Sequence, residues 1–143
     1  MAEIFHDFPV KVTTERVFEA ISTPARLDQW WTKRSSGIPE LGAEYELWFG
    51  PQWDWRAKVT ECVPGSAFEL QIVRADADWT GTRVGFHLEL RDGSTNIHFH
   101  HTGWPAQNEH WRVSCYCWAM YLRILRRYLE HGESVAYESR LSA

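Results

Sequence analysis

The sequence predicts an α+β domain in which a curved antiparallel sheet of six strands grips one long C-terminal helix. Three observations predict it. Strand-like runs cluster between helical segments, in the order strand, two short helices, five strands, long helix. Asp92-Gly93 divides two runs, Thr82 to Arg91 and Ser94 to Gly103, whose alternations agree on one apolar face. The final helical pattern, Asn108 to His131, is the one element long enough to cover that face, at about 36 Å for a 1.5 Å rise per residue.

Glu3 to Val12 carries Ile4, Phe5, Phe8, Val10 and Val12 and reads as a first strand, with Pro9 pointing to a sheet edge or a bulge. Thr13 and Thr14 offer a helix N-cap, and Val17, Phe18 and Ile21 recur at helical spacing. Thr23-Pro24 opens a second short helix carrying Leu27, Trp30 and Trp31. Thr32 to Gly42 is a polar loop punctuated by Gly and Pro. Strands follow at Glu44 to Gly50, Trp53 to Val63 and Ser66 to Ala75, separated by Pro51-Gln52 and Pro64-Gly65. A loop from Asp76 to Gly81 leads to the hairpin.

The Asp-Gly pair supplies the positive φ angles of a two-residue type I′ turn, which fixes the hairpin register. Arg91 then faces Ser94, Leu90 faces Thr95, Leu88 faces Ile97, Phe86 faces Phe99 and Val84 faces His101. The other face pairs Glu89 with Asn96, His87 with His98 and Gly85 with His100. One face is apolar and the other polar, as a half-buried antiparallel sheet requires. In the long helix Asn108 can cap the start and Gly132 the end. Its apolar stripe is Trp111, Cys115, Trp118, Leu122, Leu125 and Leu129, with a second line through Val113, Cys117, Met120, Tyr121, Ile124 and Tyr128. So wide a sector belongs to a largely buried helix, or to one shared between a core and a second copy in a homodimer. Residues 133–143 read as a polar tail, poorly ordered or lying on the surface. No repeat interrupts the chain, so residues 1–143 are expected to form one domain.

Composition excludes several functions. A net charge of −4 lacks the basic footprint that neutralises phosphates, so nucleic acid is not an expected partner. No run of apolar residues is long enough for membrane insertion, and no basic start with an apolar run marks a secretory signal. The three cysteines, Cys62, Cys115 and Cys117, have no metal spacing and fit reduced thiols. A cytoplasmic location is expected, without cofactor or metal. Nine tryptophans in 143 residues are the outlier. They suit either a Trp-rich core or an aromatic-walled pocket.

The chain resembles the START-like (SRPBCC, helix-grip) superfamily, in the branch similar to activators of the heat-shock-protein-90 ATPase. The residues that carry the resemblance are Val17-Phe18-Glu19-Ala20-Ile21, Thr23-Pro24, Leu27, Trp30-Trp31, Gly50-Pro51, Val59 and Pro64. They continue through the strand Thr95 to His101, Thr102-Gly103-Trp104, and Trp118, Leu122, Leu125, Tyr128-Leu129-Glu130 and Gly132-Glu133 on the helix. The resemblance implies the helix-grip fold. It implies a function only as a set: relatives bind lipids, hormones or polyketides, act as cyclases, or assist a chaperone.

Three functions compete. The first is binding of a small hydrophobic or aromatic ligand in a cavity between sheet and helix. Its wall would comprise Trp30, Trp31, Phe49, Trp53, Trp55, Phe68, Ile72, Phe86, Phe99, His101, Trp111, Cys115 and Trp118. The second is a cyclase or dehydratase using the same cavity with His101 as acid–base. His101 is the one strongly polar inward group of the hairpin, and equally suits a structural imidazole bonded to its neighbours. The third is a co-chaperone-like interaction module. A chaperone partner is not expected, because the sequence holds one domain where full-length activators carry another N-terminal to it. His87, His98 and His100 share the outer face and could approach a divalent ion, but without a closed ligand shell. No Ser-His-Asp order, phosphate loop, HExxH or paired-carboxylate signature is present.

Overall fold

The computed structural model describes residues 2–142. Strand β1 (Ala2–Val10) leads to helices α1 (Thr14–Ser22) and α2 (Pro24–Leu27). Strands β2 (Arg34–Ser36), β3 (Glu44–Trp48), β4 (Asp54–Val63), β5 (Ala67–Arg74), β6 (Arg83–Arg91) and β7 (Ser94–Trp104) follow. Helix α3 (Glu109–His131) and a short 3-10 helix (Tyr137–Ser142) close the chain. All strand pairs are antiparallel, in one sheet of order β1-β7-β6-β5-β4-β3-β2. The sheet meanders from β2 to β7, and β1 adds at the far edge beside β7. Pro9 sits on that edge strand, the place in a sheet where a residue without an N–H is tolerated.

The β6–β7 hairpin has the register expected from Asp92-Gly93, residue for residue from Arg91↔Ser94 to Val84↔His101. Asp92 and Gly93 take φ of 45° and 80°, the double positive φ of a type I′ turn. The caps also form. Thr13 Oγ1 accepts from Arg16 N, Asn108 Oδ1 accepts from Trp111 N at 2.9 Å, and Gly132 ends α3 in the left-handed region.

Two expectations require correction, and two further features sharpen the reading. The sheet has seven strands, not six. The extra one, β2, lies inside the stretch read as a loop, and its three polar residues pair with β3 without any apolar alternation to announce them. Helix α2 stops at Leu27, so Trp30 and Trp31 sit in the turns behind it. There Trp30 Nε1 donates to Ala20 O at 2.9 Å, tying that turn to α1. The register of β4 shifts at Arg56/Ala57 and at Val59/Glu61, so strict alternation fails along it. The tail takes the second of its two expected forms and lies on the surface, held there by one buried residue. Arg140 is buried and donates to the carbonyls of Asp28 (2.6 Å), Trp31 and Thr32 (3.1 Å each) and Val135 (3.0 Å), folding the C-terminal segment onto the Trp31 turn.

The core lies between the concave sheet face and α3, with α1 and α2 against one end. It is unusually aromatic. Trp30, Phe86, Phe99, Trp118 and Trp79 form a continuous chain of ring contacts at centroid distances of 4.6 to 6.1 Å, through Trp30–Phe86, Phe86–Phe99, Phe99–Trp118 and Trp118–Trp79. Edge-to-face and offset pairs of this kind add to simple burial.

Candidate functional site

These ring contacts fill most of the expected internal cavity. Trp30, Phe68, Ile72, Phe86 and Phe99 are buried core residues, and none lines the cleft described next. What remains is a cleft of about 200 Å³ at one end, between β3–β4, the β5–β6 loop and the first half of α3. It is lined by Trp31, Phe49, Trp55, Trp79, Trp118 and Tyr121, with His110, Val113, Ser114 and Cys117 from the helix. A groove of about 540 Å³ also runs along β1 and the C-terminal half of α3, lined by His6, Asp7, Arg123, Arg126, Arg127 and Glu130. That groove is larger, but it is a furrow between solvated charged side chains. Its Arg126 and Arg127 are occupied by Glu130 and Glu133. The aromatic cleft has the apolar walls that recognise a small molecule.

Of the thirteen cavity residues expected from sequence, four line the cleft: Trp31, Phe49, Trp55 and Trp118. Trp53 is 44% exposed. It precedes β4 in the Gly50 turn, where its N–H donates to Gly50 O and its carbonyl accepts from Phe49 N. Cys115 faces β1, with Sγ 3.9 Å from His6 Nε2. Trp111 packs at the edge of the core and is not part of the wall. The helix face toward the cleft runs 110, 113/114, 117/118, 121, a stripe rotated by about one residue from the one centred on Trp111 and Cys115.

His101 is a structural imidazole. Trp118 Nε1 donates to its Nδ1 at 3.0 Å, so that nitrogen carries the lone pair, and Nε2–H donates to Thr82 Oγ1 at 2.8 Å. Thr82 passes its own proton to Trp79 O at 2.5 Å. Burial pushes the His101 pKa down to about 3, helped by His100 and His110. It is therefore neutral, with both nitrogens committed to protein groups and no face on the cleft. The ligand-anchor and general-base roles both need a free nitrogen, which this geometry withholds.

Trp79 is the residue that sequence reading missed most completely. It lies in the Asp76–Gly81 loop, to which the sequence assigns no part in the site, yet it is 7% exposed. The loop folds back through Trp79 N and Thr80 N, which both donate to Asp76 O at 3.0 Å. Trp79 then meets Trp55, His101 and Trp118 at 4.8, 4.4 and 5.9 Å, and its Nε1 reaches Ser114 Oγ at 3.4 Å. A lone tryptophan among Asp and Gly was the available signal.

Two titratable groups in the wall are held neutral. Burial pushes the Tyr121 phenol up to about 12 and raises the Cys117 thiol, so neither is an activated nucleophile. On the outer sheet face each histidine has a carboxylate of its own: His87 with Glu61 (3.0 Å), His98 with Asp7 (2.8 Å) and Glu89 (3.3 Å), His100 with Glu69 (2.7 Å). Among the described residues no group of three His, Cys, Asp or Glu converges on a point where a metal could sit.

Residues 11–130 match the family model described as Activator of Hsp90 ATPase homolog 1-like protein. The chain belongs to that family. Among solved structures, the Aha1 dimer from Colwellia psychrerythraea is 27% identical, with a TM-score of 0.85, covering 94% of this chain and all of that one. Protein SSP2350 from Staphylococcus saprophyticus is 20% identical, with a TM-score of 0.78 and coverage of 94% and 96%. CalU16 from Micromonospora echinospora is 16% identical, with a TM-score of 0.72 and coverage of 96% and 82%. The last two show the shared fold alone. No curated protein matches the chain. As an AHSA1-type protein it has the helix-grip architecture, and among its described residues no helix is long and apolar enough to cross a membrane.

Proposed function

We propose that this AHSA1-type protein binds a small aromatic or hydrophobic molecule in the cleft between its sheet and α3. One observation carries the reading: several aromatic side chains, drawn from β3–β4, two loops and α3, leave about 200 Å³ between them rather than closing on each other. An apolar cavity of about 150 Å³ is enough to hold benzene. The cleft therefore suits one substituted ring or two fused rings. Nothing in the wall supplies an activated nucleophile, which favours binding over turnover.

The test is a thermal-shift and native mass spectrometry screen against a library of one- and two-ring aromatics. A guest at a hundred times its dissociation constant should add about 2.7 kcal/mol of stability. Cys117→Phe, which fills the cleft from α3, should remove the shift without lowering the melting temperature of the free protein. A library that yields no guest, or guests that bind the filled variant equally well, would end this reading.

A second reading has its own observation. The Colwellia psychrerythraea relative is described as a dimer, and α3 here presents Val113 and Tyr116 at 50% and 78% exposure. We propose that the protein self-associates through this helix. Sedimentation equilibrium should return twice the chain mass, falling toward one in Tyr116→Lys. A monomer at 100 μM would sink the proposal.

A further inference from the structure

The cleft has a polar corner at the start of α3, where the part-exposed His110 uses only one of its ring nitrogens on the protein. His110 Nδ1 lies 3.0 Å from Asp78 Oδ2, and Asn108 Nδ2 donates to the same oxygen at 3.2 Å. A carboxylate only accepts, so Nδ1 must carry the proton, and in the neutral ring the lone pair is then on Nε2. Nε2 of His110 has no partner among the described residues. The orientation is enforced from both sides. Asn108 caps α3 through its Oδ1 while its amide holds Asp78, a double duty that an acceptor-only Asp at the cap could not perform. Trp104 meets the imidazole edge-to-face at 5.4 Å.

Ser114 follows His110 by four residues on the same face of α3 and also lines the cleft. It is 6% exposed. Its Oγ accepts from Trp79 Nε1, but its own O–H finds no acceptor among the described residues. A buried hydroxyl without an acceptor is costly unless something else completes it. One helix face thus brings an acceptor without a protein partner, His110 Nε2, and a donor without one, the Ser114 hydroxyl, to an aromatic cleft whose other polar groups are the Tyr121 phenol and the Cys117 thiol.

We propose that His110, oriented by Asp78, and Ser114 form a hydroxyl-recognition corner, so that the molecule the cleft takes is a small hydroxylated aromatic of the phenol or naphthol class. The proposal rests on the cleft being a binding site, and it adds the ligand's chemistry. The hydroxyl donates to His110 Nε2 and accepts from Ser114, while its ring lies against the tryptophan wall. A hydroxyl is the smallest group that satisfies both at once. A plain hydrocarbon leaves both unpaired, and a methyl ether can accept but not donate. Asp78 acts through His110 and is a positioning residue.

The experiment compares 2-naphthol with 2-methoxynaphthalene, which keeps the rings and the oxygen but has no proton to give. Binding is followed by the shifts of tryptophan indole N–H resonances. The naphthol should bind about ten-fold more tightly to the wild-type chain. His110→Leu should bring the two affinities to within about two-fold by weakening the naphthol alone. His110→Gln, at a half-exposed helix position, guards against misfolding and should restore part of the preference. Equal affinities in the wild type would overturn the hydroxyl corner and leave the aromatic-cleft reading standing. Resonances unmoved by either compound would overturn both. A preference that persists in His110→Leu would also overturn the assignment, since the hydroxyl would then be read elsewhere.

Discussion

His101 shows how a single buried polar residue is decided by its partners. Its Nδ1 accepts the Trp118 N–H and its Nε2–H donates to Thr82 Oγ1, so three side chains are hydrogen-bonded to one another within the core. Replacing it by Leu keeps the volume roughly but strands the Trp118 N–H and removes the bond into Thr82 Oγ1, whose own O–H still reaches Trp79 O. At about 1–3 kcal/mol for the stranded N–H and about 1 kcal/mol for the lost bond to Thr82, His101→Leu should cost about 2–4 kcal/mol. His101→Gln, which can still accept from one side and donate to the other, should recover much of that. Urea unfolding measures the loss, and aromatic binding by the Gln variant measures whether any function goes with it. Full binding with reduced stability is the expected pair. Binding lost in a stable Gln variant would give His101 a role in the cleft that its bonding denies.

At the scale of elements, the C-terminal segment behaves as a latch. Arg140 gathers four carbonyl groups, three of them from the turn between α2 and β2 that carries Trp31. The N–H groups of that turn bond back onto α2 and onto Trp48 O, Arg140 takes up its carbonyls, and Trp31 forms part of the cleft wall. Arg140→Ala should cost about 2–4 kcal/mol, by loss of charge-assisted bonds and exposure of the carbonyls beneath. Amide exchange at residues 28–33 should accelerate with it. Arg140→Lys should restore less than half, because an ammonium cannot span carbonyls that the planar guanidinium reaches together. Unchanged exchange in the Ala variant would mean the turn stands without the latch. This also explains what the sequence could and could not disclose. The β6–β7 hairpin was legible because Asp92-Gly93 and the face alternation are local and agree. The caps of α1 and α3 were legible for the same reason. The latch was not, since one Arg in a polar tail announces nothing about carbonyls more than a hundred residues away. Trp79 was not, since its burial depends on β4 and α3 arriving above the loop. The cleft-facing stripe of α3 was missed by one position because its apolar sector is wide, and hydrophobicity alone does not centre a wide sector.

For the whole molecule, pH dependence separates the inner and outer faces of the sheet. His101 has its pKa pushed from 6.5 down to about 3 by burial. A group depressed on folding contributes stability that is complete above its unfolded pKa and is lost as pH falls toward its folded one. The loss therefore begins near pH 6.5. Glu69, held down to about 2 by His100 first and then by Thr60 and Arg83, follows the same rule from a lower start. Its contribution is intact above pH 4.5 and fades only below it. The other lowered carboxylates, Asp54, Glu89, Glu130 and Glu138, also act only in that lower range. His98 runs the other way. Asp7 and Glu89 raise its pKa, so its contribution is complete below pH 6.5 and is lost on the alkaline side. Between pH 6.5 and 4.5 the resolved shifts thus leave His101 as the group whose stability changes. A single group can lose at most about 1.4 kcal/mol per pH unit, so the fall over this window is about 2–3 kcal/mol. For a chain of this size that is a drop of about 5–10 °C in melting temperature. His101→Gln carries no titrating group there, and its melting temperature should stay nearly flat from pH 6.5 to 4.5 before falling with the carboxylates. A variant that drops as steeply as the wild type over those two units would place the acid sensitivity in another histidine, and the neutral core network would lose its thermodynamic signature.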